Sequence, residues 1–177
     1  MANTYTQIYL QVVFAVQGRA SIIPKAQQEE LHKFITGVVT NRSQKLIAIN
    51  SMPDHVHLLV GLKADCALSD LVRDVKAASS KLINERHWVV GRFAWQEGFG
   101  AFSYSHSQLD DVIRYIANQE QHHAKKTFAE EYREFLERFG VDFDPRYVFK
   151  PVEDGPPLTG LERVSTDSPI NRTALQA

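Results

Sequence analysis

The first residues able to do chemistry are two histidines one position apart, His55 and His57. They sit in HVHLLVGL, a β-branched and apolar run that reads as a strand. Successive strand side chains alternate faces, so the two imidazoles point the same way and can share a cation, while Val56 and Leu58 face the opposite side. The plainer alternative is a pair of polar residues on a solvated strand face. Further along, Tyr115 precedes Gln119 by one helical turn. Leu109, Val112, Ile113 and Ile116 form the buried stripe of that helix, and Tyr115, Gln119 and His122 follow a neighbouring stripe at i, i+4 and i+7. Taken alone, Tyr115 fits a boundary residue that packs its ring and keeps its hydroxyl wet. Beside a cation it could do more. A phenol with a pKa of about 10 is a better oxyanion source than serine.

The elements that must position these residues follow from patterning. YTQIYLQVVFAV reads as a strand ended by Gly18. Pro24 opens a helix in QQEELHKFITGVV, with Leu31, Phe34, Ile35 and Val38 on one face. KLIAINSM and HVHLLVGL are strands split by the Pro53-Asp54 turn. A helix runs from about Ser69, as N-cap, to about Glu85, with Leu71, Val72, Val75, Leu82 and Ile83 as its stripe. RFAWQ and AFSYS read as two short strands of a hairpin around Gly98 and Gly100. Ser107 with Asp110 suggests a capping box opening a helix that continues to about His123. Thr127 to Phe139 is the last helix, stopped by Gly140. The order predicts an α+β fold: a ferredoxin-like, split βαβ antiparallel sheet with helices on one face and additional C-terminal helices.

The chain of 177 residues suits one catalytic domain over 1–150. Residues 151–177, rich in turn formers and poor in apolar periodicity, read as a flexible tail. Apolar and charged residues make up 44% and 23%, ordinary for a folded core. No run approaches the roughly 20 apolar residues of a membrane span, and the apolar stretch near the N-terminus lacks a basic leader. A cytoplasmic protein without membrane partners is expected. The lone Cys66 has no disulfide partner and reads as packing. Residues 1–92 hold 11 Lys and Arg against 7 Asp and Glu, and residues 93–177 hold 9 against 14. A near-neutral chain of this kind would grip nucleic acid through local basic clusters and a metal.

HVHLLV after Met-Pro-Asp, together with FAWQEGFGAFSYSHSQLDDVIRYIANQEQHH, resembles the HUH tyrosine transposases, the IS200-like single-strand insertion-sequence enzymes and their REP-associated relatives. The resemblance covers roughly residues 5–150. It implies that His55, His57 and Gln119 are metal ligands and that Tyr115 is the nucleophile. His122 shares the stripe and could assist, but the resemblance gives it no role. It also implies a transposase that cuts and rejoins single-stranded DNA through a 5′-phosphotyrosine, leaving a free 3′-hydroxyl. The stored bond energy removes any need for ATP, in keeping with the lack of a phosphate-binding Gly loop. Two imidazoles and an amide leave the cation's charge undiminished, so Mg²⁺ or Mn²⁺ is expected, with Mn²⁺ at least as effective. The implied partners are hairpin-ended single-stranded DNA and a second copy, in a homodimer with shared active sites.

Candidates for DNA contact are Arg73 and Lys76, on one face of the second helix, with Lys81, Arg86 and Arg92 nearby in sequence. Trp95, Phe99, Phe102 and Tyr104 could stack bases, although such residues more often form a solvated face and a core. Two other readings remain open. A metal-dependent phosphoesterase or nuclease would use the same histidines, but a histidine-triad hydrolase would want a third histidine where Leu59 stands. A hairpin-binding relative, or an RRM-like module, would bind without cutting.

Overall fold

The structure, a computed structural model, describes residues 5–19, 22–144 and 148. Four antiparallel strands form one sheet: β1 (Tyr9–Ala15), β2 (Lys45–Met52), β3 (His55–Gly61) and β4 (Gly100–Tyr104), in the order β2-β3-β1-β4. Helices α1 (Gln28–Asn41) and α2 (Leu68–Glu85) complete the βαββαβ pattern. Three further helices follow: α3 (Leu109–Ala117), α4 (Gln119–His123) and α5 (Phe128–Arg138).

The period of two in β1 and β3 divides the sheet. Val12, Phe14, Val56, Leu58 and Val60 turn to one side and pack with Leu31, Ile35 and Val39 of α1 and Leu71, Val72, Val75 and Ile83 of α2. This is the main core. The opposite residues of the same sheet, Val13, Ala15, Leu59 and Phe102 among them, meet α3 and α5. Helices therefore cover both faces, α1 and α2 on one and the C-terminal helices on the other. The register sets Val13 opposite His57 and Ala15 opposite His55, so β1 lies directly alongside the histidines.

Several local expectations change. RFAWQ is not a strand of a hairpin. Trp95 makes an isolated bridge to Val16, and Gln17 N and Gln96 N donate to Ala94 O and Ala15 O, so this segment only extends the end of β1. AFSYS pairs with β1 instead. Its Gly100 is required by space: a Cβ there would lie 2.8 Å from the Tyr132 ring and hydroxyl. The helix α2 starts one residue before Ser69, and its N-cap is Ala67. The capping box near α3 is Ser105 with Gln108, not Ser107 with Asp110, and a short 3-10 turn leads into the helix. The expected helix to His123 breaks at Asn118 (φ −96°, ψ 24°). Asn50 Nδ2, from β2, donates to Ile116 O at 2.8 Å and Ala117 O at 3.3 Å. A side chain that satisfies the last carbonyls lets the helix end there. Helix α5 lies where expected; Thr127 caps it in a reciprocal capping box with Glu130 that was not expected from the sequence, and Gly140 follows it at φ +62°. The expected tail, 151–177, lies outside the described residues. Among the described residues no helix is long and apolar enough to cross a membrane.

Candidate active site

The strand alternation that buries Val56 and Leu58 against α1 and α2 sends His55 and His57 to the other face, under α4 and α5. Both histidines are buried, at 1% and 0% exposure. His55 Nδ1 lies 2.7 Å from Asp54 Oδ1, and its ring stacks on Phe128 at 4.0 Å. His57 Nδ1 lies 3.1 Å from Gln11 Nε2, while Gln11 Oε1 accepts from the Tyr104 hydroxyl at 3.0 Å. Burial pushes Tyr104 up to about 12, so it stays a neutral donor. These partners aim both Nε2 atoms inward.

They converge on Glu131, a buried residue of α5. Glu131 Oε2 lies 3.9 Å from His55 Nε2, 3.4 Å from His57 Nε2 and 3.2 Å from His123 Nε2. Its other oxygen, Oε1, accepts a hydrogen bond from the Tyr115 hydroxyl and one from Gln119 Nε2 at 3.3 Å, and lies 3.7 Å from His122 Nε2. The Tyr115 ring is 6.1 Å from that of His57 and 5.1 Å from that of His122. One chain thus brings together Tyr115, Gln119, His122, His55 and His57.

The electrostatics are those of a buried polar nest. Burial, then the His123 and His122 imidazoles, pull His57 down to about 3. Burial lowers His55, His122 and His123 as well, and pushes the Glu131 carboxyl up to about 7. Burial thus favours the neutral imidazole, the form that ligates a metal. His55, His57, His123 and Glu131 each offer one donor atom, all within 4.8 Å of one another. His55 Nε2, His57 Nε2, His122 Nε2, His123 Nε2, Gln119 Oε1 and Glu131 Oε2 are buried without a hydrogen-bond partner. Such groups cost free energy unless paired, and this donor set fits a divalent cation.

Next to Tyr115 opens a cavity of about 530 Å³ lined by Asp111, Arg114, Asn118, His122, Lys125 and Lys126 among others. Tyr115 itself forms part of its wall.

Glu131 and His123 were not singled out from the sequence. A signal for Glu131 existed: it stands at i+3 from Phe128 and i−4 from Phe135, on the apolar stripe of α5, where a carboxylate needs a reason. The candidate DNA-binding side chains lie elsewhere. Arg73, Lys76 and Lys81 are on α2, across the sheet from Tyr115. Arg73 pairs with Asp70 and Asp74, and Lys81 with Glu85. Lys76 Nζ donates to Gln96 O and Gly98 O and sits over Phe14. Arg92 is exposed in the loop after α2. Trp95 and Phe102 are core residues, and Phe99 is the more exposed aromatic.

Over residues 4–119 the chain matches the family model described as IS200-like transposase. A curated relative, the ISDra2 transposase TnpA of Deinococcus radiodurans, is 22% identical over 120 residues, covering 64% of this chain and 84% of the relative. A crystal structure from Deinococcus radiodurans R1, assigned as a transposase, aligns with a TM-score of 0.53 at 22% identity, over 67% of this chain and 95% of that one. A REP-associated tyrosine transposase bound to a REP hairpin aligns with a TM-score of 0.54 at 18% identity, over 70% and 73%. These two solved structures share the fold described above.

Proposed function

Since the chain belongs to the IS200-like transposase family, we propose that it cuts and rejoins single-stranded DNA beside a hairpin, with Tyr115 as nucleophile. The observation that carries this reading is the carboxylate shared between phenol and imidazoles. Glu131 accepts from the Tyr115 hydroxyl with one oxygen and stands 3.4 Å from His57 Nε2 with the other. A reactive oxygen and a cation site so close together are what in-line phosphoryl transfer needs.

His55 and His57 would hold the cation, with Gln119 as the third ligand through its buried, unpartnered Oε1. Mg²⁺ or Mn²⁺ would draw charge from the phosphate's non-bridging oxygens when bound. The chain's own residues do the rest. Tyr115 Oη forms a bond to phosphorus while the bond to the 3′ oxygen breaks. The phenol's proton leaves along its hydrogen bond to Glu131, and the departing 3′ oxygen takes a proton from water to end as a hydroxyl. His122 stands beside both Tyr115 and Glu131, within reach to assist. Arg114, Lys125 and Lys126 around the cavity supply positive charge where a phosphate would enter. The resting link is a 5′-phosphotyrosine, and reversal with another 3′-hydroxyl rejoins the strand. The hairpin-bound neighbour supports hairpin DNA as the partner.

A homodimer with exchanged helices is the assembly that the family resemblance implies. Within one chain Tyr115 already lies beside His57 and Glu131, which supports a site formed without exchange. Mixing Tyr115→Phe with His57→Ala protein separates the two arrangements: an adduct from the mixture marks exchange, and none marks a site complete within each chain.

The test of the activity uses a labelled hairpin oligonucleotide with Mg²⁺ or Mn²⁺. Wild type gives a covalent protein–DNA band that Tyr115→Phe loses. His57→Ala loses cleavage and keeps hairpin binding. Cleavage without an adduct would favour a phosphoesterase, and binding without cleavage a non-catalytic relative.

A further inference from the structure

We infer that His123 and Glu131 join His55 and His57 in a four-donor cation site, three imidazoles and a carboxylate, that selects first-row transition ions over Mg²⁺. The inference deepens the metal-dependent reading above and rests on it, with two changes: Gln119 supports Glu131 instead of serving as third ligand, and the phosphate would add to the four donors as a fifth. Both added residues lie beyond the stretch 4–119 that matches the family.

Hydrogen-bond direction fixes two of the rings. A backbone carbonyl can only accept, so His123 Nδ1, 3.0 Å from Lys126 O, must carry the proton. His55 Nδ1 likewise points at the Asp54 carboxylate at 2.7 Å. In each neutral ring the proton on Nδ1 leaves a lone pair on Nε2. Those lone pairs face Glu131 Oε2, itself an acceptor when ionised, at 3.9 and 3.2 Å. Acceptors facing one another in a buried place make no bond. A cation between them turns each into a ligand. For His57, the Gln11 amide spans Nδ1 and the Tyr104 hydroxyl, and either end of an amide can face an imidazole, so its Nε2 is open to the same role.

Spacing agrees. Donors about 2.0–2.2 Å from a tetrahedral ion lie roughly 3.3–3.6 Å apart. The Oε2 to Nε2 distances of 3.2, 3.4 and 3.9 Å bracket that range. The supports outside the ligands are also in place. Asp54 and Lys126 O orient two rings, as partners of metal-bound histidines do, Phe128 stacks on His55, and Gln119 Nε2 holds the far oxygen of Glu131. Imidazole-rich sets suit Zn²⁺, Co²⁺ and Ni²⁺, and accept Mn²⁺. Mg²⁺ prefers oxygen ligands and keeps several waters, which this buried, nitrogen-rich place does not favour.

The test uses the full chain stripped with a chelator and then titrated calorimetrically with Co²⁺, Mn²⁺, Zn²⁺ and Mg²⁺. One ion per chain is expected, with Co²⁺ and Zn²⁺ at least about 100-fold tighter than Mg²⁺. His123→Ala and Glu131→Gln should each weaken Co²⁺ by more than about tenfold and change its visible absorption. X-ray absorption of the Zn²⁺-loaded protein should count three imidazoles, falling to two in His123→Ala. This count on wild type needs no variant to fold, and Glu131→Asp replaces Glu131→Gln if circular dichroism shows the latter unfolded. Two imidazoles in wild type, or unchanged Co²⁺ affinity in both variants, overturns the inference and leaves the His55–His57 centre standing. No ion bound by wild type overturns both, with Glu131 then only sharing a proton with His123.

Discussion

The two faces of one sheet are built on opposite terms. Toward α1 and α2, alternate residues of β1 and β3 are aliphatic or aromatic, and a buried polar group such as Ser79 is satisfied twice over. Its hydroxyl donates to Val75 O at 2.6 Å and accepts from Trp95 Nε1 at 2.9 Å. Toward α4 and α5, the residues one position along the same strands are Gln11, His55 and His57. There, six of the seven buried side-chain atoms without a partner among the described residues are gathered. A strand's period of two lets a single segment, HVHLLVG, serve both. The difference teaches where stability and chemistry lie: the first face holds the fold, and the second carries unpaired polarity that a bound cation would offset.

The largest expected effect breaks the first face. Leu58 is 2% exposed in the α1–α2 core. Leu58→Ala should cost about 2–5 kcal/mol of unfolding free energy, the transfer loss plus the cavity. Adduct yield per folded molecule should not change. Denaturant melts and adduct titration on the same sample measure both, and a missing adduct in the folded fraction would dissolve the division of labour. Next comes the second face. A saturating divalent ion that binds only the folded state, at about 100 times its Kd, should add about 2.7 kcal/mol. His57→Ala should show no such gain. Melting with and without chelator decides, and a wild type indifferent to metal would leave the unpaired atoms unexplained.

A smaller effect separates the helices that cover the two faces. Thr127 and Glu130 cap α5 reciprocally, with Thr127 N donating to Glu130 Oε2 at 2.8 Å. Thr127→Ala should cost about 1 kcal/mol. Because α5 carries Glu131, metal affinity should fall with it, while amide exchange in α1 stays slow. Equal acceleration in α1 and α5 would mean that the two faces unfold as one unit.

How much of this is legible in the sequence depends on what kind of information each feature needs. The pairing of His55 with His57 follows from strand period alone, as does the burial of Val56 and Leu58. The stripe Leu109, Val112, Ile113, Ile116 follows from helix period and does pack on Leu59. The break at Asn118 could not be read locally. It depends on Asn50, a residue of β2 that reaches the end of α3 only once the sheet exists. RFAWQ has strand composition but finds only the last residues of β1 beside it, so composition misled. Glu131 was hidden by company: among Glu130, Glu134 and Glu137 it looks like one more solvated acid, and only its phase relative to Phe128 and Phe135 sets it apart. His123 turns inward because the helix restarts after Asn118, which a continuous helix would not have indicated.

The finest test of the comparison concerns charge, residue by residue. Basic side chains lie on both faces, yet their circumstances differ. On α2, Arg73 is engaged by Asp70 and Asp74, Lys81 by Glu85, and Lys76 by two carbonyls. Around the cavity beside Tyr115, Arg114, Lys125 and Lys126 stand together. Arg114 pairs with Asp111 and Lys126 with Glu134, but three cations still line one opening. Removing a side chain that binds phosphate should weaken affinity alike for every sequence and lower the salt slope of hairpin binding by about 1. Lys125→Ala and Arg114→Ala should each do this, because they line the cavity beside Tyr115. Arg73→Ala and Lys81→Ala should change the slope less, since these side chains lie on the far side of the sheet and are screened by acidic neighbours. Hairpin affinity measured across a salt series gives the slope directly. If the α2 variants lowered it more, the DNA would lie along the face that holds the fold, and the hairpin would have to wrap round the sheet edge to deliver its cut site to the phenol.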